Sequence, residues 1–163
     1  MNKKCIIIGN GPSRRQWILK NFTDITFGCN QIYTEYLPTF LIAQDRAVLE
    51  QMGRDSVRTV FMPQDRLRQF GNCGILNMQP IAYPERGSQV LLSGHWAILL
   101  AARLGFTNLK CIGFDLGPES IYRDLTDTNT AEYYQCTPDR QKRFLDQMQD
   151  LFPDVNIVFI DRE

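Results

Sequence analysis

Cys5-Ile6-Ile7-Ile8-Gly9-Asn10-Gly11-Pro12-Ser13 is the stretch that decides the fold. Four apolar residues in unbroken succession, without the alternation of a strand wetted on one side, describe a strand covered on both faces. The glycines that follow at once allow a tight turn and a close approach of backbone to a ligand. A helix is expected over 13–21, and its first N–H groups and positive dipole end suit a phosphate. A phosphate or ribose is therefore expected near Gly9, Asn10, Gly11 and Ser13. The spacing is not that of the dinucleotide fingerprint, because Pro12 and Arg14 intervene, and many loops use two glycines merely to turn.

Working outward, short β-branched runs recur with helical stretches between them, the pattern of parallel strands joined by crossover helices. Strands are expected at 4–8, 25–28, 39–43, 57–62, 109–113 and 155–160, and helices at 13–21, 46–52, 93–104 and 138–151. Thr137-Pro138-Asp139 opens the last helix with an N-cap and a proline at the first helical position. The stretches Pro63–Ser88 and Gly117–Cys136 read as long loops, with room for a short strand near 75–82. The expectation is an α/β fold: a single Rossmann-like three-layer domain over 1–163 with a mainly parallel sheet, helices on both faces.

Composition narrows the function. The 18 basic and 18 acidic residues balance, so the broad positive field that displaces counterions from nucleic acid is missing and nucleic acid is not the expected partner. No apolar run reaches the ~20 residues that span a bilayer, and Met1-Asn2-Lys3-Lys4 leads into a short strand and not into a signal sequence. Five cysteines at 5, 29, 73, 111 and 136, odd in number and without a CxxC pair, argue against a disulfide framework or a structural zinc site. A reduced, cytoplasmic setting is the expectation.

Four further segments carry possible chemistry. Asn30 and Gln31, after the second strand, offer adjacent carboxamides that can read a base or sugar, or close the strand with an Asx-type turn. Asp45, after Gln44, can hold a ribose hydroxyl or a metal, or cap the helix that begins at Arg46. Ser93-Gly94-His95-Trp96 opens a helix whose first turn is another anion-binding end, with Ser93 as its N-cap. His95 is the single histidine and can act as a base only if its ring points into the crevice. Asp115 follows a buried strand, at the rim where open α/β sheets bind ligands. All five segments lie at strand carboxyl ends or helix starts, so they point to one crevice.

The pieces Gly9-Asn10-Gly11-Pro12-Ser13, Cys29-Asn30-Gln31-Ile32-Tyr33, Ser93-Gly94 with Ala97 through Gly105, and Gly113-Phe114-Asp115 together resemble the glycosyltransferase family 42 bacterial sialyltransferases. More loosely, they resemble the Rossmann-like family of flagellar motility accessory proteins and archaeal pterin diphosphokinases. The first resemblance implies a CMP-sugar or other nucleotide as ligand, with no metal and no permanently bound cofactor. It assigns Asn10, Asn30 and Gln31 to the donor, Ser93 and Gly94 to the sugar side, Asp115 to the cytidine end and Tyr122 to a phosphate. That family's general base is a histidine, and the alignment puts Tyr133 in its place, so donor binding is better supported than transfer. The second resemblance, carried also by Pro38 through Asp45, implies a nucleoside-triphosphate-dependent diphosphokinase with Mg²⁺ on Asp45, Asp115, Asp124 and Asp127. A non-catalytic nucleotide-binding or interaction protein is the third reading.

Overall fold

The structure is a computed structural model that describes residues 2–84, 91–116, 120–122 and 136–160. Seven strands form one sheet: β1 Lys4–Ile8, β2 Ile25–Cys29, β3 Phe40–Ile42, β4 Thr59–Pro63, β5 Asn77–Ile81, β6 Asn108–Ile112 and β7 Asn156–Ile160. Every neighbouring pair is parallel, in the order β5-β4-β3-β2-β1-β6-β7. The chain runs outward from β1 to β5 and then returns to the other side of β1. The order therefore reverses between β1 and β6, where open sheets of this class leave a crevice at the strand carboxyl ends.

The described helices are α1 Arg46–Arg54, α2 Gln64–Phe70, α3 Ser93–Arg103 and α4 Pro138–Leu151. They divide the core in two. Cys5, Ile7, Phe27 and Leu109 pack under α3 and α4, while Ile6, Ile8, Leu41 and Ile112 pack under α1 and the turns near Tyr36. Successive β1 residues alternate between these two cores, which is why the strand reads as a continuous apolar run. α3 is buried nearly all round from Ser93 to Ala102, and α4 begins as expected, with the Thr137 side chain accepting from Arg140 N–H.

Three expectations need correction. The helix at 13–21 is two short 3-10 turns, Pro12–Gln16 and Leu19–Asn21. Trp17 and Ile18 between them are extended. Bulky aromatic and β-branched side chains lose rotamer freedom in a helix, and here Trp17 instead lies under Lys110 and against Phe22. The stretch after Pro63 is not all loop. It holds α2, whose apolar face is only Leu67 and Phe70, too little for a periodic signal, and then β5. The N-cap of α3 is Leu92 and not Ser93. The described cysteines are all free, with Cys5, Cys29 and Cys111 buried, and burial pushes the Cys5 thiol up to about 12.

Candidate functional site

The carboxyl ends of β1 and β6 meet backbone to backbone. Gly9 N–H donates to Ile112 O and Gly11 N–H to Gly113 O, each at 2.8 Å. A Cβ on Gly9 would stand 2.5 Å from Gly113 O, so the glycines serve a close approach of two chain segments, and not only a turn. Ser13 N–H, one of the donors expected for a phosphate, is taken by Asp115 Oδ2 at 2.8 Å. Asp115 therefore caps the first 3-10 turn with one oxygen. The anion-binding helix start expected at residue 13 is replaced by a carboxylate-capped turn.

Asn10 is held from three sides. Its Nδ2 donates to Cys29 O at 2.9 Å, its Oδ1 accepts from Arg14 Nη1 at 2.9 Å, and its carbonyl accepts from Ile121 N–H at 2.8 Å. Neither Arg14 nor Glu35 stood out in the sequence, yet they organise this end of the site. The Arg14 guanidinium, only 2% exposed as a residue, also donates to the Tyr122 hydroxyl at 2.9 Å and pairs with Glu35. Tyr122 completes the ring by donating to Glu35 Oε1 at 2.6 Å. Burial, then the bond to Glu35, push the Tyr122 hydroxyl up to about 12. Tyr122 is thus a buried member of the Arg14 network, not a side chain presented to a phosphate.

Asn30 adopts φ 56°, a left-handed conformation that asparagine tolerates better than most residues. It stands beside Ser93, whose Oγ lies 3.4 Å from Asn30 Oδ1. The Ser93 side chain faces Asn30 and leaves the start of α3 without a side-chain cap, so its first N–H groups keep their donor capacity. Gly94 lies against Phe114, whose Cε1 would be 2.7 Å from a Cβ there. Phe114, given no role of its own in the sequence, thereby joins the end of β6 to the start of α3. Gln44 Nε2 donates to Leu91 O at 2.9 Å and ties the end of β3 to the same helix start.

Gly9, Asn10, Gly11, Ser13, Asn30, Ser93, Gly94 and Asp115 are thus joined by contacts along one rim. Gln31 is fully buried and engaged within the protein. Asp45 holds the N-cap position of α1 without a side-chain cap bond. Asp45 follows β3 and Asp115 follows β6, with β2 and β1 between those strands. No three His, Cys, Asp or Glu side chains gather as a metal site among the described residues. Tyr133, Asp124 and Asp127 lie outside the described residues.

His95 points away from the crevice. Its ring stacks on Phe144 of α4 at 4.1 Å, Nε2 lies 2.9 Å from Gln141 Oε1, and the residue is 1% exposed. Burial lowers its pKa to about 4. An imidazole locked into the core cannot reach an acceptor hydroxyl, so the base expected of His95 is not provided. The shift has a measurable consequence. Between about pH 6.5 and 4 the unfolded histidine binds a proton that the folded one refuses. Stability should therefore fall by about 2 kcal/mol as the pH drops from 7 to 5, and a His95→Gln protein should lose that part of the slope in urea titrations at the two pH values. An unchanged slope would place the acid sensitivity elsewhere.

No protein-family model matches the chain, and no curated protein matches it. Solved structures do. The sialyltransferase CST-II in complex with trisaccharide acceptor and CMP is similar with a TM-score of 0.59 at 15% identity, over 96% of this chain and 80% of that one. CstII from Campylobacter jejuni in complex with the substrate analogue CMP-3FNeuAc gives 0.61 at 15% identity, over 96% and 79%. A CST-II variant in complex with CMP gives 0.65 at 14%, over 96% and 81%. The chain shares its α/β Rossmann-like fold with these CstII structures. At this identity the likeness is one of fold alone. Among the described residues no helix is long and apolar enough to cross a membrane.

Proposed function

We propose that the rim between β1 and β6 binds a nucleotide sugar of the cytidine monophosphate type, and that the protein acts as a binding domain with little or no sugar transfer. The observation that carries this reading is the convergence of Asn10, Asn30, Ser93 and Asp115 at the strand reversal point, with the uncapped start of α3 beside them. Donors from that helix start suit a phosphate, and the carboxamides suit base and sugar hydroxyls. Similar folds are described with CMP and with a CMP-sugar analogue. Against transfer stands the burial of His95: a placed general base contributes about 10²–10⁴-fold, and the described rim has no histidine. Tyr133 would be a poor substitute, since a phenol of reference pKa ~10 is mostly protonated at neutral pH.

A thermal-shift panel tests the proposal. CMP at about ten times its Kd should stabilise by about 1.4 kcal/mol, or roughly 3–5 °C for a chain of this size. Adenine and guanine nucleotides should do less, and Mg²⁺ should make no difference. A strong shift with ATP or GTP that requires Mg²⁺, with none from CMP, would replace this reading by the diphosphokinase one. Asn30→Gly should abolish the CMP shift while leaving the unliganded melting temperature within about 2 °C, because glycine accepts the left-handed backbone and the side chain it removes bonds only weakly to Ser93.

A further inference from the structure

The two outer edges of the sheet are not alike. In a parallel pair the N–H and C=O of one residue point to the same side, and those of the next residue to the other. Asn77 N–H donates to Arg58 O, so β5 turns Asn77, Gln79 and Ile81 toward β4 and turns Met78 and Pro80 outward. Pro80 has no N–H to offer, and it closes that edge to a further strand. Asn156 N–H donates to Thr107 O, so β7 turns Asn156, Val158 and Ile160 toward β6 and leaves the backbone of Ile157 and Phe159 facing out. Among the described residues no strand pairs with that side. The usual guards of an edge are missing, since β7 has no proline, no charged residue and an unbroken register with β6. Lys110, in register with Val158, lies over the Trp17 ring at 4.6 Å, and Val158 itself is 43% exposed.

We propose that β7 pairs antiparallel with β7 of a second copy of this chain, about a two-fold axis through Val158, to make one continuous sheet. Ile157 of each copy then exchanges both backbone bonds with Phe159 of the other, and the two Val158 side chains meet directly across the axis as a non-hydrogen-bonded pair. What selects a second copy over a foreign strand is charge. Ile157 and Phe159 pack in the same core as Phe144 and Met148 of α4, so the axis that joins the strands also lays α4 antiparallel beside α4 of the second copy. The first half of α4 carries Asp139, Arg140, Lys142 and Arg143, a net +2, and the second half carries Asp146 and Asp150, a net −2. An antiparallel neighbour of the same sequence sets each half against its opposite. Lys142, Arg143, Asp146 and Asp150 form no ion pair with any described residue, so their charges remain for such a neighbour. Pro80 at the far edge ends the assembly at two copies, a closed isologous pair.

Sedimentation equilibrium and amide hydrogen exchange on the intact chain test the pairing. The wild type should dissociate with a midpoint on the order of 10 μM. As concentration rises through that midpoint, the amides of Ile157 and Phe159 should gain protection, while that of Val158, which already faces β6, should not change. Val158→Lys sets like charges directly opposite each other and should raise the midpoint about tenfold or more. A second pair of variants does not touch the strand. Lys142→Glu/Arg143→Glu and Asp146→Lys/Asp150→Lys each make α4 like-charged from end to end and should raise the midpoint about tenfold. Mixed in equal amounts they should form a heterodimer as tight as the wild type, which a misfolded protein cannot do. A wild type that stays monomeric at about 100 μM, a dimer that Val158→Lys leaves at its original midpoint, or charge variants that do not pair on mixing would each overturn the proposal. The outer edge of β7 is not part of the β1–β6 rim, so the nucleotide reading is tested separately. A monomer stabilised by CMP sinks the dimer alone, and a dimer without a CMP shift sinks the nucleotide reading alone.

Discussion

Gly113→Ala should lower stability by about 4 kcal/mol, or roughly 10 °C in melting temperature, because two independent penalties fall on one methyl group. Gly113 sits at φ +71°, where an L side chain costs about 1–2 kcal/mol. Its Cβ would also stand 2.6 Å from Gly9 O and 3.1 Å from the Arg14 side chain, and forcing the β1 and β6 ends apart adds an overpacking cost of about 1–3 kcal/mol. Gly105 separates the two effects. It has φ +89° but nothing within 4 Å of an added Cβ, so Gly105→Ala should cost only about 1–2 kcal/mol. Urea denaturation of both variants measures the difference, and equal losses would mean that the close approach of the two strand ends contributes nothing.

Arg14→Met should cost about 3 kcal/mol, since it removes charge-assisted bonds to Asn10, Tyr122 and Glu35 at once while keeping most of the buried volume. Glu35→Gln should cost only about 1 kcal/mol, because the amide oxygen still accepts from Arg14 and Tyr122 and the side chain is half exposed. The order of the two variants is the informative result. A Glu35→Gln protein as damaged as Arg14→Met would mean that the full charge of the ion pair, and not the hydrogen-bonded frame, holds the network together. On the proposed reading of the rim, loss of Arg14 should also weaken CMP binding, since the guanidinium bonds to the Asn10 carboxamide.

The parallel sheet was legible because Cys5–Ile8 is a short apolar run bounded by turn residues, and burial on two faces leaves that trace in composition; Ile157–Ile160 reads the same way, although it forms the edge strand β7, whose Val158 is 43% exposed. The helix at 13–21 was misread because strand, glycines and an N-terminal proline imitate a longer helix start, while Trp17 lies under Lys110 of β6, a contact no local window contains. The placing of Asn10, Asn30, Ser93 and Asp115 along one rim was legible because strand ends and helix starts are recognisable places. Arg14, Glu35 and Phe114 were missed because most of their contacts cross long separations: Glu35 meets Tyr122 at a sequence distance of 87 residues. The ring of His95 could not be oriented from sequence, since the helix that turns it inward is α4, far along the chain.

The position of β1 in the middle of the sheet, between β2 and β6, matters while the chain is being made. β2 through β5 are complete by Ile81, but the strand that covers the other edge of β1 ends only at Ile112. At about 5–20 residues per second, the 31 residues between them take roughly 2–6 s to synthesise. During that interval the half-built sheet presents the bare edge of β1, a strand buried at four of its five residues, as a template for pairing with another nascent chain. A ribosome stalled shortly after residue 81 would therefore hold an adhesive intermediate, and one stalled well beyond residue 112 would hold a chain whose central strand is already protected.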